Sequence, residues 1–460
     1  VNADPTRRNI YLEGGFAPVT EEVTAYDLTV IGEIPPVLEG RYLRNGPNPL
    51  NPVDPATNHW FTGAGMVHGV RLRDGRAEWY RNRWVRSAAV SQALGEPEVP
   101  GPVGRVDFAA NTNVGGFAGT TWALVEGGSR PMELGYELDT ICRNDFFGTL
   151  PHGFTAHPKR DPATGALHGL CYSWAELLDH VEYVVVGPDG RVGKVVDVPL
   201  PGMSMIHDVS LTEHYVVIYD LPVTVDLDLA LSGRFSFPFR WNDDYGARVG
   251  LLPRDGAAAD IIWAEVEPCY VFHPLNAFED EQGRVVLDVC RYERMFLNDV
   301  WGPAGDSLPT LDRWTVDPVA RRVNEERVDD RFHEFPGIRG DLTGRRHRYG
   351  YTAGVGEGFI PGATYKYDYQ AGVMTLHDHG PGRGTAEPAF VADPAGTAED
   401  DGWLLSYVSD ADTGRSELVV LDARDLSAAP VARVLLPRRV PHGFHGNWVS
   451  DRSVAPGSRS

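Results

Sequence analysis

Short runs of β-branched and aromatic residues recur along the whole chain, each ended by Gly, Pro, Asp or Asn, and segments with a 3.6-residue period are few and brief. That alternation restricts the fold more than any other feature. Trp403–Val408, Glu417–Leu421 and Val431–Leu436 are separated by tight breaks and predict three consecutive antiparallel strands. Val181–Val186 and Arg191–Val198 flank Gly187-Pro188-Asp189-Gly190, where Pro and Gly stand where a turn needs them. Tyr215–Leu221 and Arg284–Tyr292 predict further strands. The chain carries 51 glycines and 35 prolines in 460 residues, well above the usual share of roughly one residue in eight. Turns are therefore frequent, while 42% hydrophobic residues supply a core and exclude a disordered chain.

Repeated meanders without helical crossovers predict an all-β fold, and 460 residues exceed what one sandwich holds. A seven-bladed β-propeller is the expectation. Each blade would use about 66 residues, more than the roughly 40–50 of standard blade repeats, so the surplus should form a lid of loops and short helices over one face. Thr224–Ser232 is one candidate helix there. The Gly/Pro/acidic stretch Pro381–Gly402 resembles a linker in composition, but strand-like residues resume after it. Residues 1–450, including an N-terminal arm, are expected to form one domain, and 451–460 a loose tail.

The formal net charge of −22 argues against nucleic acid and against polybasic attachment to anionic lipid. Cys142, Cys171, Cys269 and Cys290 are widely spaced and form no C-x-x-C pair, so reduced core residues are expected. No export signal and no run of about 18 apolar residues is visible. A cytoplasmic protein is expected, monomeric or weakly oligomeric, with at most peripheral membrane contact.

Four of the 15 histidines sit among apolar or small neighbours near strand ends: His157, His207, His273 and His445. Singly, each reads as a core histidine bonded to backbone. Together, on strands converging toward one axis, they could surround a transition metal, and imidazole suits iron, zinc, copper or nickel. His377-Asp378-His379 precedes a Gly380-Pro381-Gly382 turn and is read as surface. His68, His152, His168, His180 and His442 are read as structural or surface residues. Gly115-Gly116-Phe117-Ala118-Gly119 lacks the context of a dinucleotide site, and the pairs Asp329-Asp330 and Asp400-Asp401 read as solvated surface.

These histidine contexts, with Arg41-Tyr42-Leu43-Arg44-Asn45-Gly46-Pro47-Asn48-Pro49, Gly63-Ala64-Gly65-Met66-Val67-His68-Gly69 and Ala110-Asn111-Thr112-Asn113, resemble the carotenoid cleavage oxygenase family from about residue 40 to 448. The resemblance implies a non-haem ferrous iron held by His157, His207, His273 and His445. It also implies that Glu126, Glu334 and Glu387 accept the second N–H of three of these ligands, with His157 lacking such a glutamate. Thr112 matches the position whose methyl group crowds one coordination site. The implied reaction is oxidative cleavage of a conjugated carbon–carbon double bond by dioxygen, giving two carbonyl products.

A lipophilic conjugated substrate needs an aromatic tunnel, for which Phe272, Phe335 and Trp122 are candidates because they flank the implied metal shell. Phe235–Trp241 (FSFPFRW) reads as a lid segment, with a tunnel mouth or membrane contact as the other possibilities. Stilbenoid-cleaving members of the family use a tyrosine and a lysine to hold a 4-hydroxyl group. Trp84 and Thr120 are aligned with those positions, which favours a carotenoid or apocarotenoid over a stilbenoid or phenylpropenoid. A non-catalytic propeller scaffold is the alternative of a different class.

Overall fold

The computed structural model describes residues 8–453 except 233–236, 300 and 304. Its antiparallel sheets form the seven blades of a propeller, one of them sharing a long strand with the next. In the first blade Gly446–Ser450 is innermost, followed outward by Gly40–Pro47, Gly65–Arg73, Arg76–Trp84 and Thr24–Tyr26. The second to fifth blades begin at their inner edges with Asn113–Phe117, Lys159–Arg160, Val209–Leu211 and Tyr270–Glu279. The strand Arg322–Gly337 closes the fifth blade on its outer side, then turns inward and opens the sixth. Arg383–Thr385 and Ala389–Ala392 share the inner edge of the seventh, whose outermost strand is Val30–Gly32.

Position within a blade explains the sequence pattern. Inner and middle strands are covered on both faces by neighbouring blades, so they read as continuous apolar runs: Val285–Tyr292 and Arg415–Asp422 are buried along nearly all their length. Outer strands keep one face in water, and Val192–Pro199 alternates accordingly between exposed and half-buried residues. The predicted meander over 403–436 is formed by Gly402–Asp410, Arg415–Asp422 and Ala432–Leu435. Of the helix expected over Thr224–Ser232, the first residues belong to the strand Val223–Val225 and only Leu227–Ser232 is helical.

Chain ends close the ring twice. Gly446–Ser450 pairs with Gly40–Arg44 in the first blade, and Val30–Gly32 pairs with Ala432–Val434 in the last. The N-terminal arm packs inward: the Tyr11 ring stacks on Trp60 at 5.2 Å, and Phe16 meets His442 edge-on at 4.8 Å. Asp451, expected in the loose tail, is held: Tyr136 donates to its carboxylate at 2.9 Å and its N–H donates to Glu39 O at 3.0 Å. Residues 454–460 of that tail lie outside the described residues. The four cysteines are free, three of them buried. No helix among the described residues is long and apolar enough to cross a membrane.

Removing residues from 446 onward strips the first blade of its inner strand and exposes a row of unpaired backbone groups on Gly40–Arg44. The expected outcome is loss of a cooperative thermal transition by circular dichroism; a transition as sharp as that of the full chain would show that the ring does not need this closure.

Candidate metal centre

Each blade delivers one residue to the axis at or near the start of its innermost strand. His445 precedes Gly446–Ser450, Thr112 precedes Asn113–Phe117, His157 precedes Lys159–Arg160, His207 precedes Val209–Leu211, and His273 lies in Tyr270–Glu279. Glu334 lies where Arg322–Gly337 turns inward, and Glu387 lies between the two inner segments of the seventh blade. Glu126 is the exception, following Thr120–Leu124 of the second blade.

The Arg44-Asn45-Gly46 stretch fastens these loops together. Asn45 donates from its side-chain amide to Ala110 O (2.8 Å) and Asn113 O (3.0 Å), and its backbone N–H donates to His445 O at 3.0 Å. Arg44, buried, donates to Pro441 O at 2.7 Å. Asn113 donates to Ala156 O at 2.7 Å and accepts from Asn447 at 2.8 Å, which ties the loops of His157 and His445 to that of Thr112. Gly65 allows the close approach of this strand, because a Cβ there would stand 2.3 Å from Ala110 O.

His157, His207, His273 and His445 are all buried and each offers a ring nitrogen within 4.8 Å of the others. Nε2 of His207 and Nε2 of His273 are 3.2 Å apart, the separation of two nitrogens about 2.1 Å from one ion at an angle of about 100°. His157 Nε2 is buried with no protein partner, as a nitrogen reserved for a metal would be. Burial and the neighbouring imidazoles push His157 and His273 well below the ordinary histidine range, which keeps them neutral and able to donate a lone pair. These residues fit a metal ion.

Three carboxylates fix the other ring nitrogens. His207 Nδ1 lies 2.8 Å from Glu126, His273 Nδ1 2.6 Å from Glu334, and His445 Nδ1 3.1 Å from Glu387. An Nδ1–H donated to carboxylate leaves Nε2 as the metal donor. For His207, burial opposes protonation, but the charge and hydrogen bond of Glu126 outweigh it and raise the pKa. Glu334 is pushed up to about 7 by burial, against the Phe335 N–H and the Tyr292 hydroxyl, which hold its charged form. Phe335 adopts φ +51°, a left-handed conformation rare for a bulky residue, and its N–H donates to Glu334 at 2.5 Å. His445 and the Gly446 N–H lower Glu387 despite its burial.

An aromatic cavity opens on one side of this centre. His207, His273, His445 and Thr112 form its base, and Phe61, Phe237, Phe272, Phe335, Phe359, Phe444 and Trp174 are among its walls. None of the described lining residues is Lys or Arg. Of its two described tyrosines, Tyr292 donates to Glu334 at 2.9 Å, and burial with the charge of Glu126 pushes the Tyr172 phenol well up. The Thr112 hydroxyl donates to Asn111 Oδ1 at 3.0 Å, so its polar group is also engaged. Phe237, Pro238 and Phe239 line the cavity from the lid segment, whose Phe235 and Ser236 lie outside the described residues.

Of the expected substrate contacts, Phe272 and Phe335 line this cavity and three others do not. Trp122 packs 5.3 Å from Phe146 between the second and third blades and donates to Phe117 O. Trp84 donates to Asn48 O at 2.9 Å in a separate core with Met66 and Val90. Thr120 sits at the hairpin paired with Phe117. Their side chains therefore carry no information about a 4-hydroxyl group; Val125, next to Glu126, does line the cavity. Sequence reasoning missed Phe61, Phe359 and Phe444, although Phe444 precedes His445 as Phe272 precedes His273. His377 and His379, read as surface, bond to Leu426 O and to the Thr364 hydroxyl.

The family model described as retinal pigment epithelial membrane protein (RPE65) matches residues 16–450. The chain belongs to the carotenoid cleavage oxygenase family. It is 47% identical to a carotenoid cleavage oxygenase of Mycobacterium tuberculosis, across 96% of this chain and 97% of that one. The cobalt-substituted Synechocystis oxygenase ACO superposes with a TM-score of 0.84 at 32% identity, covering 95% of this chain and 98% of that one. A lignostilbene dioxygenase of Pseudomonas brassicacearum superposes with a TM-score of 0.87 at 27% identity, covering 96% of this chain and 98% of that one. With the family comes the class of enzyme, an alkene-cleaving dioxygenase.

Glu334→Gln keeps the shape but removes the charge that orients His273. Metal affinity should fall about 10–100-fold, read by competition with a chromophoric chelator, while the thermal midpoint of the metal-free protein changes little. Equal loss of both would make Glu334 a structural residue.

Proposed function

We propose that this protein is an iron(II)-dependent dioxygenase that cleaves a conjugated double bond of a carotenoid or apocarotenoid into two aldehyde or ketone products. The observation that carries this reading is a buried set of four imidazoles, three of them at the base of an aromatic cavity whose described lining has no cationic side chain. His157, His207, His273 and His445 would hold the ion, and as neutral donors they leave it its full charge, unlike a set containing a carboxylate. Ferrous iron bound there would supply the activation of dioxygen.

The chain's own residues do the rest. Glu126, Glu334 and Glu387 fix the ring orientations and tautomers of three ligands. Thr112, its hydroxyl turned to Asn111, offers the reacting face a methyl group that narrows access to the metal. Phe272, Phe335 and the further aromatic walls hold a flat polyene by stacking and exclude water from the reacting bond. The lack of a cationic side chain among the described lining residues favours an uncharged polyene over a phenolate. We further place residues 1–450 in a single catalytic unit, cytoplasmic, monomeric or weakly associating and at most peripherally in contact with membrane; free cysteines and the acidic charge support this.

The test is incubation of the iron-loaded protein under oxygen with a panel of carotenoids, apocarotenoids, 4-hydroxystilbenes and phenylpropenoids, with mass analysis of carbonyl products. Apocarotenoid or carotenoid aldehydes are expected. Cleavage of hydroxystilbenes alone would overturn the substrate reading, and no cleavage with no retained iron would favour a binding scaffold. His207→Ala combined with His273→Ala should abolish iron retention; unchanged iron content would place the metal elsewhere.

A further inference from the structure

Three of the four histidines touch a glutamate, and His157 touches none; a different carboxylate stands beside it. Asp208 Oδ2 is 3.9 Å from His157 Nδ1, with both side chains buried. Asp208 is fixed from two sides: Lys159 Nζ donates to Oδ2 at 2.7 Å, and the Val209 N–H donates to Oδ1 at 2.6 Å. His157 is held at its backbone, where its N–H donates to Thr155 Oγ1 at 3.1 Å. A gap of 3.9 Å is too long for a direct hydrogen bond but short enough for one water to bond both groups. There is room for it. On the side of the histidines away from the aromatic walls lies a polar cavity of about 150 Å³, lined by Asn113, His157, Lys159, Asp208, Glu387 and Asn447 among others; a single water needs about 10–15 Å³.

We propose that Asp208, oriented by Lys159, is the positioning carboxylate of His157 and acts on its Nδ1–H through a bridging water. The inference rests on the four-histidine metal site and adds to it. Each imidazole then has one carboxylate behind it, three directly and one through water. The fourth also differs electrostatically. Among the described residues no cation is hydrogen-bonded to Glu126, Glu334 or Glu387, whereas the Lys159 ammonium offsets Asp208. His157 is therefore the least polarised of the four donors. Its supporting carboxylate comes from the residue after His207, so a single dipeptide, His207-Asp208, supplies one ligand and supports another.

Cobalt(II), whose d–d absorption reports ligand geometry, serves as the probe. Asp208→Asn should weaken Co²⁺ binding by about tenfold or more and shift the d–d bands, with Glu126→Gln as the comparator whose carboxylate touches its histidine. If Glu126→Gln changes the bands and the affinity but Asp208→Asn changes neither, Asp208 is only the partner of a structural ion pair and the proposal fails, while the metal site stands. If neither variant changes them, the four-histidine site itself is wrong and the proposal falls with it. Should Asp208→Asn not fold because Lys159 is left without its partner, Asp208→Asn combined with Lys159→Met removes both charges, and the same two outcomes apply to it.

Discussion

The ladder between Gly446–Ser450 and Gly40–Arg44 holds the candidate metal centre together, because it joins an early strand to a late one and seats His445 beside three histidines from earlier in the sequence. Four imidazoles spread from 157 to 445 in sequence meet here on the axis of the closed ring. Closure fixes their spacing because the loops that carry His157, His207 and His445 lead directly into innermost strands, and hydrogen bonds from Asn45 and Asn113 tie the loops of His157 and His445 to that of Thr112. The second seam, between Val30–Gly32 and Ala432–Val434, braces the neighbouring blade at its rim.

From that constraint the division of labour around the axis follows. A seven-bladed ring offers seven inner strand starts, and this chain uses four for histidines, one for Thr112 and two for Glu334 and Glu387. Two adjoining blades therefore hold carboxylates that buttress histidines on other blades, and the threonine blade leaves a gap in the ring of histidines. The aromatic cavity opens on the side where His207, His273 and His445 are accessible, and the polar cavity lies behind, reaching His157, His273 and His445. One face can thus take an apolar substrate while the other keeps polar groups solvated and oriented.

Much of this was legible in the sequence, and the losses have physical causes. Strands were readable because propeller blades bury continuous apolar runs and end them in Gly, Pro and Asp turns, as at Gly187-Pro188-Asp189-Gly190. The histidine cluster and the glutamates that touch it were recoverable because their flanking residues resemble a family pattern; unaided, Glu126 or Glu387 looks like any surface glutamate. Cavity walls were not recoverable in this way. Trp122 sits four residues before Glu126 and still faces an interblade core, because the strand Thr120–Leu124 ends before Glu126 and pleat parity no longer ties the two side chains together. Phe61 and Phe359 reach the cavity from distant loops, and Phe359 and Phe335 do so with positive φ, which no local propensity announces. Asp208 was hidden for another reason: beside a histidine it reads as a solvated acid, and only the fold brings Lys159 and His157 to it.

The central claim is that one ion is held by four neutral imidazoles and by no carboxylate. X-ray absorption at the iron edge of the reconstituted ferrous protein tests it most directly, because multiple scattering from imidazole rings counts them. The account predicts four imidazoles at the metal and no sulfur; a fit requiring two imidazoles with carboxylate oxygens in their place would contradict it.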